Sequence, residues 1–309
     1  MKGDINKPEC SVLDGEFTYT EVIGGIKRLK KGKATAFDAI TNDLIKSSGN
    51  TIAPFLTKLF NKLVFFQHFP VHWSTGLIVP IHKNGDMADP NNFRGITLNN
   101  SISKLYTLLL NDRLTLFCEN NHIISDNQIG FRKNFRTSDH VFTMKTLVEK
   151  SFASNKKLFT CFVDFRKAYD TVWRDGLIFK LLNNGVSNKF CNIIQNMYRN
   201  LQCSVRLPLG ISMPFESKVG LKQGCNLSPM LFNIFINDLI KEIEEINDDA
   251  PYLGEIPVGC LFYADDLVLI SETGDGLQKV LDILHRFTKK CFLEINLSKT
   301  KCLTFVKVS

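Results

Sequence analysis

Apolar residues recur along the chain at two different periods, and each change of period marks an element. Val22, Ile23, Ile26 and Leu29 recur at helical spacing behind Thr18 and Glu21, the spacing of a capping box, so a helix starts at Thr18. Residues 1–15 read as a polar lead-in. A second helical stretch, rich in Leu and Phe, covers 51–66 and breaks at Gln67-His68-Phe69-Pro70. Gly76 to Lys83 reads as a strand leading into the turn Asn84-Gly85-Asp86, with the short segment Asn91–Ile96 after a second turn. A helix follows over 101–118, then a polar and basic stretch over 126–140. Leu158 to Asp164 is a buried strand ending in an acid. The helix after it, 166–183, closes at Asn184-Gly185, where glycine suits a left-handed C-cap. Ser187 caps a helix running to about Asn200, and paired strands over 203–222 turn at Leu209-Gly210. Ser228-Pro229 places an N-cap before a proline at the first helical position and opens a helix to about Ile246. Cys260 to Ile270 reads as two short strands meeting at Asp265-Asp266, followed by a helix near 276–291 and a last strand, Cys302–Phe305.

From 158 onward the order is strand, helices, strands, helix, hairpin, helix, strand. That predicts an α+β fold, an antiparallel sheet backed by helices as in split βαβ units. The 309 residues suffice for one large or two modest domains. With 44% hydrophobic and 11% aromatic residues the chain is a folded globular one, and disorder is excluded. A net charge of +7 suits a polyanionic partner. None of the nine cysteines forms a Cys-x-x-Cys or stands at zinc spacing from a histidine, so they read as small buried thiols in a reducing compartment. No signal peptide is visible behind Met1-Lys2-Gly3-Asp4, and no apolar run reaches the roughly 18 residues of a membrane span. The expected location is nuclear or cytoplasmic, away from membranes.

Candidate chemistry begins at Asp265-Asp266. A two-residue hairpin turn favours Asn-Gly or Asp-Gly, because its central residues need positive φ. Two adjacent carboxylates between apolar strands repel each other and lose hydration. A divalent cation relieves both problems, hard oxygen ligands being its preferred donors; a solvated acidic turn is the plain alternative. Asp164, at a strand end, would bring a third carboxylate to one edge of the sheet. Carboxylates on two strands can hold two cations about 3.5–4 Å apart. Lys83 and Arg94 sit on neighbouring segments, where they would clamp phosphate oxygens or simply be surface charge. The cluster Lys27–Lys33 is either a helix C-terminus facing its dipole, or a phosphate contact or nuclear-import signal. Phe131, Arg132, Lys133, Phe135 and Arg136 interleave rings with cations, a pattern that suits single-stranded nucleic acid or a folded loop over the core.

Ordered blocks then carry a resemblance. Phe262-Tyr263-Ala264-Asp265-Asp266 is similar to the Tyr-x-Asp-Asp box of the reverse transcriptases of non-LTR (LINE-type, jockey-like) retrotransposons. Phe162 to Asp170 resembles that family's first acidic motif, and Gly220 to Phe232 the motif after it. Trp73 to Leu98 is similar to its fingers motif, Gln128-Ile129-Gly130-Phe131-Arg132 to the next block, and Leu293 to Lys301 to the motif after the hairpin. Residues 17–46 look like the leader into the fingers.

The resemblance implies the fingers and palm of a right-hand polymerase, with a lead-in over 1–60 and a reverse transcriptase domain over 61–309 (fingers about 61–157, palm about 158–309). It implies addition of dNTPs to a DNA primer on an RNA template, with two Mg²⁺ ions or Mn²⁺ in their place. Asp164 and Asp265 would be the main metal ligands, with Asp266 beside them and the Phe165 carbonyl helping. Lys83 and Arg94 would hold the triphosphate, and Gln223 would contact the nucleotide and template side. Tyr169 would crowd a ribose 2′-OH, and Lys299 would donate a proton to pyrophosphate. Asp170 is expected to anchor a helix. The chain departs from the family at Ala36 and Ala39, where glycines usually stand. It also stops soon after Lys299, so thumb and endonuclease functions are expected to come from elsewhere. The rival expectation is an inactive, truncated remnant, at most a nucleic-acid-binding module. An RNA-dependent RNA polymerase fits less well, because those enzymes usually carry glycine where Ala264 stands.

Overall fold

Helices lead, and strands enter only where a short apolar run is bounded by turns. The computed structural model describes residues 8–307. In chain order it contains α1 (Ser11–Asp14), α2 (Tyr19–Arg28), α3 (Asn42–Ser47), α4 (Gly49–Phe65), β1 (Thr75–His82), β2 (Phe93–Leu98), α5 (Ser101–Asn120) and α6 (Thr137–Ala153). There follow β3 (Leu158–Asp164), α7 (Ala168–Thr171), α8 (Arg174–Asn183), α9 (Asn188–Tyr198), β4 (Gln202–Leu207), β5 (Gly210–Ile211), β6 (Phe215–Glu216) and α10 (Ser228–Ile246). The last elements are β7 (Tyr252–Leu253), β8 (Ile256–Pro257), β9 (Cys260–Tyr263), β10 (Asp266–Ser271), α11 (Gly274–Cys291) and β11 (Lys301–Phe305). They divide into two compact units, one of residues up to Asn121 with Ile178–Ser228, the other of His122–Leu177 with Pro229 onward.

In the first unit the sheet order is β2-β1-β4-β5, with β6 also on β4. β1 runs antiparallel to β2 and parallel to β4. Its aromatic core packs Phe60 tilted against Tyr106 (5.2 Å between centroids) and Phe69 edge-on to Trp73 (5.7 Å). The capping box of Thr18 and Glu21 forms as the sequence predicts. Arg113 ties α5 to the chain before α2. Its buried guanidinium lies 3.8 Å from the Phe17 ring centroid, donates to the Gly15 and Glu16 carbonyls, and pairs with Glu21 at 3.1 Å.

In the second unit the sheet order is β11-β3-β10-β9, antiparallel throughout. Strand alternation sends Cys161, Val163, Leu267 and Leu269 to one face, where α11 covers the sheet with Val280, Ile283, Leu284 and Phe287. The opposite face is apolar at one end, where Leu147 of α6 joins Leu158, Leu261 and Ile270. At its other end it carries acids.

Several segments differ from the sequence reading, and α3 and the β7–β8 hairpin stand where it names no element. The lead-in contains α1, whose Leu13 is fully buried and whose Asp14 accepts from the Ser187 hydroxyl at 2.7 Å; its first seven residues lie outside the described residues. The helix expected over 166–183 is two, α7 and α8, because Trp173 folds back over Gly176, where a Cβ would come within 2.3 Å of the indole. α6 begins inside the polar and basic stretch 126–140 and continues where the sequence reading names no element. Its sequence shows no clean apolar stripe, since only Leu147 and Ser151 of the helix are buried. Ala39 adopts the left-handed φ of 55° that glycine would take more cheaply. The buried-thiol reading holds for seven of the nine free cysteines; Cys302 is exposed and Cys10 partly so. Among the described residues no helix is long and apolar enough to cross a membrane.

Arg113→Ala should lower the unfolding free energy in urea by about 1–3 kcal/mol, chiefly by orphaning the Gly15 and Glu16 carbonyls, since the half-exposed Glu21 can rehydrate. Ala39→Gly should raise it by about 0.5–1 kcal/mol in the same titration, the left-handed penalty of alanine outweighing the added freedom of the unfolded chain.

Candidate active site

β9 and β10 face each other with Tyr263 opposite Asp266, so the turn between them consists of Ala264 and Asp265 alone. Ala264 has φ 59° and Asp265 is not left-handed. Positive φ at the first central position only is the pattern of a type II′ turn, which needs no Asn-Gly pair. The two acids therefore have different settings. Asp265 sits in the turn and Asp266 is the first residue of β10.

On the other side of β10, Asp266 is the register partner of Asp164, the last residue of β3. Direct partners in an antiparallel pair share a face, so Asp164, Asp266 and Tyr263 form one row across three strands. Loss of hydration at the base of Asp266 and then the charge of Asp164 raise the Asp266 carboxyl above the ordinary aspartate range. A like-charge pair of this kind fits a divalent cation. Among the described residues no three His, Cys, Asp or Glu side chains are grouped closely enough to hold an ion by themselves. Backbone carbonyls, water or phosphate oxygens would complete the shell, which is the habit of Mg²⁺, bound through one or two carboxylates and substrate phosphates.

The chain beyond Asp164 is pinned by the segment 294–300. Asn296 N–H donates to the Asp164 carbonyl and Arg166 N–H to the Glu294 carbonyl, each at 2.8 Å, and the Asp164 N–H donates to the Thr300 hydroxyl at 3.2 Å. These ladder bonds bracket Phe165 and leave its carbonyl outside the ladder. Lys299 is exposed on the turn next to Thr300. Tyr169, half-buried on α7, stacks on Phe232 of α10 with 4.6 Å between centroids and 20° between planes. Asp164, Phe165, Tyr169, Asp265, Asp266 and Lys299 all belong to the second unit.

Lys83, Arg94 and Gln223 belong to the first. Ile81 is the partner of Arg94, so Lys83, two residues on, projects from the same face of the β1–β2 hairpin. Both cations are exposed. Arg94 Nε reaches the Gln223 side-chain oxygen at 3.4 Å, and the Gln223 carbonyl accepts from Thr97 N–H at 3.1 Å. The neighbouring Gly224, at φ 99°, leaves no room for a Cβ, which would meet the Thr97 carbonyl at 2.8 Å. One contributor has no role in the sequence reading beyond its place in a block: Gln128, buried against Ala264. A polar side chain followed by an apolar residue and a glycine, Gln128-Ile129-Gly130, is its only signal in the sequence.

The sequence model of the family described as reverse transcriptase (RNA-dependent DNA polymerase) matches residues 81–308. The probable RNA-directed DNA polymerase from transposon BS of Drosophila melanogaster is 28% identical over 299 residues, covering 94% of this chain and 32% of that protein. The RNA-directed DNA polymerase from mobile element jockey of Drosophila funebris is 27% identical over 300 residues, covering 93% and 32%. The chain thus spans about a third of the length of the curated relatives it matches. Among solved structures, an apo telomerase of Candida tropicalis aligns with a TM-score of 0.58 at 15% identity, over 89% of this chain and 59% of that one. That likeness gives the α+β fold of polymerase fingers and palm. With the facing acids on β3 and β10 and a family match over most of its length, the chain belongs to the reverse transcriptase (RNA-dependent DNA polymerase) family.

Proposed function

We propose that this chain is the fingers-and-palm part of an RNA-directed DNA polymerase that joins dNTPs to a primer 3′-OH on an RNA template. The observation that carries the reading is the facing of Asp164 and Asp266 across β3 and β10, with Asp265 in the adjoining turn. Asp164 and Asp265 act as the principal ligands of divalent metal, with Asp266 and the Phe165 carbonyl beside them. Bound there, two Mg²⁺ ions supply charge stabilisation to the attacking and leaving oxygens of an in-line displacement. The chain's own groups do the positioning that such a displacement mostly requires. Arg94 offers a planar fork and Lys83 a point charge to the triphosphate, and the contact between Arg94 and Gln223 aims the guanidinium. Gln223 contacts the nucleotide and template side.

Tyr169 serves as the sugar discriminator. Its ring is braced by Phe232, so it cannot swing away from a ribose 2′-OH without losing a stacked partner. Lys299, exposed and charged, donates the proton to departing pyrophosphate. Nucleic-acid binding fits the chain's net charge of +7 and would be salt-sensitive and largely independent of sequence.

The direct test is primer extension on an RNA template with dNTPs and Mg²⁺. The wild-type chain should extend, and Asp265→Ala and Asp266→Ala should each lose at least about 100-fold in rate, as expected when several kcal/mol of transition-state stabilisation is removed. RNA binding without extension above those variants would instead support an inactive binding module. Tyr169→Ala should shift incorporation toward ribonucleotides by roughly tenfold or more, read from competing single-nucleotide additions. Unchanged sugar discrimination in an active variant would remove Tyr169 from that role.

A further inference from the structure

Gln128 is fully buried, and its amide is spent on the residue that precedes the acid pair. Its Oε1 accepts from the Ala264 N–H and from the Gly130 N–H, each at 2.9 Å, and its Nε2 donates to the Ala264 carbonyl at 3.1 Å. The orientation of the amide is dictated by these partners. Flipping it would set NH₂ against two N–H donors and oxygen against a carbonyl. The main chain on either side adds to the contact. Phe262 N–H donates to the Asn127 carbonyl at 2.8 Å, and Ile129 N–H to the Phe262 carbonyl at 3.0 Å, so residues 127–129 run as an extra edge along β9. Gly130 closes the fit. A Cβ there would lie 2.2 Å from the Ala264 nitrogen, and its carbonyl is held at 2.7 Å by the buried Asn233 of α10.

Ala264 is a non-glycine residue at φ 59°, a conformation that persists only where its surroundings impose it. We infer that Gln128 is a positioning residue. By gripping both backbone polar groups of Ala264 it fixes the II′ turn, and with it the directions in which Asp265 and Asp266 present their carboxylates. Met or Leu would fill the same volume, but neither offers an acceptor and a donor at once. The effect on catalysis rests on the polymerase reading; the effect on the turn does not.

The test uses the whole chain with Gln128→Met, which keeps length and volume and removes both hydrogen-bonding functions. Amide exchange at Ala264 should quicken by on the order of tenfold, and Mn²⁺ affinity, read by electron paramagnetic resonance, should weaken by about 10–100-fold, the range for partners that orient metal ligands. In primer extension kcat should fall while the KM for dNTP and the affinity for RNA stay within twofold. A purely packing role predicts none of these changes in a folded Gln128→Met protein, and wild-type exchange together with wild-type Mn²⁺ affinity would overturn the inference. If Gln128→Met does not fold, Gln128→Asn carries the same expectation, because its amide is withdrawn by one methylene and cannot span both groups of Ala264. A wild-type chain that binds Mn²⁺ without extending primers would overturn the polymerase reading, while the exchange and Mn²⁺ comparison of the variant would still decide the role of Gln128.

Discussion

Two carboxylates on neighbouring strands repel each other, and the second unit is built so that the chain cannot relax away from that repulsion. Asp164 and Asp266 are register partners, so separating them means breaking the ladder between β3 and β10. Leu267, Leu269, Cys161 and Val163 on the reverse face anchor both strands against α11. The cost shows in Asp266, whose carboxyl is raised by lost hydration and by the neighbouring charge. A bound cation, or a proton held by one of the two carboxyls, would relieve that repulsion.

The same logic explains why the turn is not made of the residues a free hairpin prefers. Asn-Gly would relieve the backbone, but it would remove an acid from the turn. Here the left-handed residue is Ala264, and stability comes from outside the hairpin, from Gln128, Gly130 and Asn233. Strain is placed at the acids and relieved by a buried polar contact from a segment more than a hundred residues earlier in the chain.

Much of this was legible in the sequence, where the local signal and the tertiary demand agree. The strand ending at Asp164, the Thr18 capping box, the helix opening at Ser228 and the Ser187 cap all formed where residue pattern places them. Legibility failed where packing overrides periodicity. α6 hides because it buries only a narrow edge, and the break between α7 and α8 hides because its cause is an indole lying over Gly176. At the site, acids and cations announce themselves by charge, and the family resemblance ordered them. Gln128 does not, because a neutral amide acquires its meaning only from the backbone groups it meets. The different settings of Asp265 and Asp266 are likewise fixed by register, which a run of eleven apolar and acidic residues leaves undetermined by one position.

We propose that the row of acids on β3 and β10 is a divalent-cation site working on nucleotide phosphates. It is tested most directly by loading the wild-type chain with Fe²⁺ in place of Mg²⁺, in the presence of primer–template and dNTP, and mapping hydroxyl-radical cleavage of the polypeptide with ascorbate and peroxide. Cleavage should be confined near residues 162–166 and 263–267, suppressed by excess Mg²⁺ and absent in Asp164→Ala. Cleavage elsewhere, or cleavage at these segments that survives excess Mg²⁺ and the loss of Asp164, would contradict it.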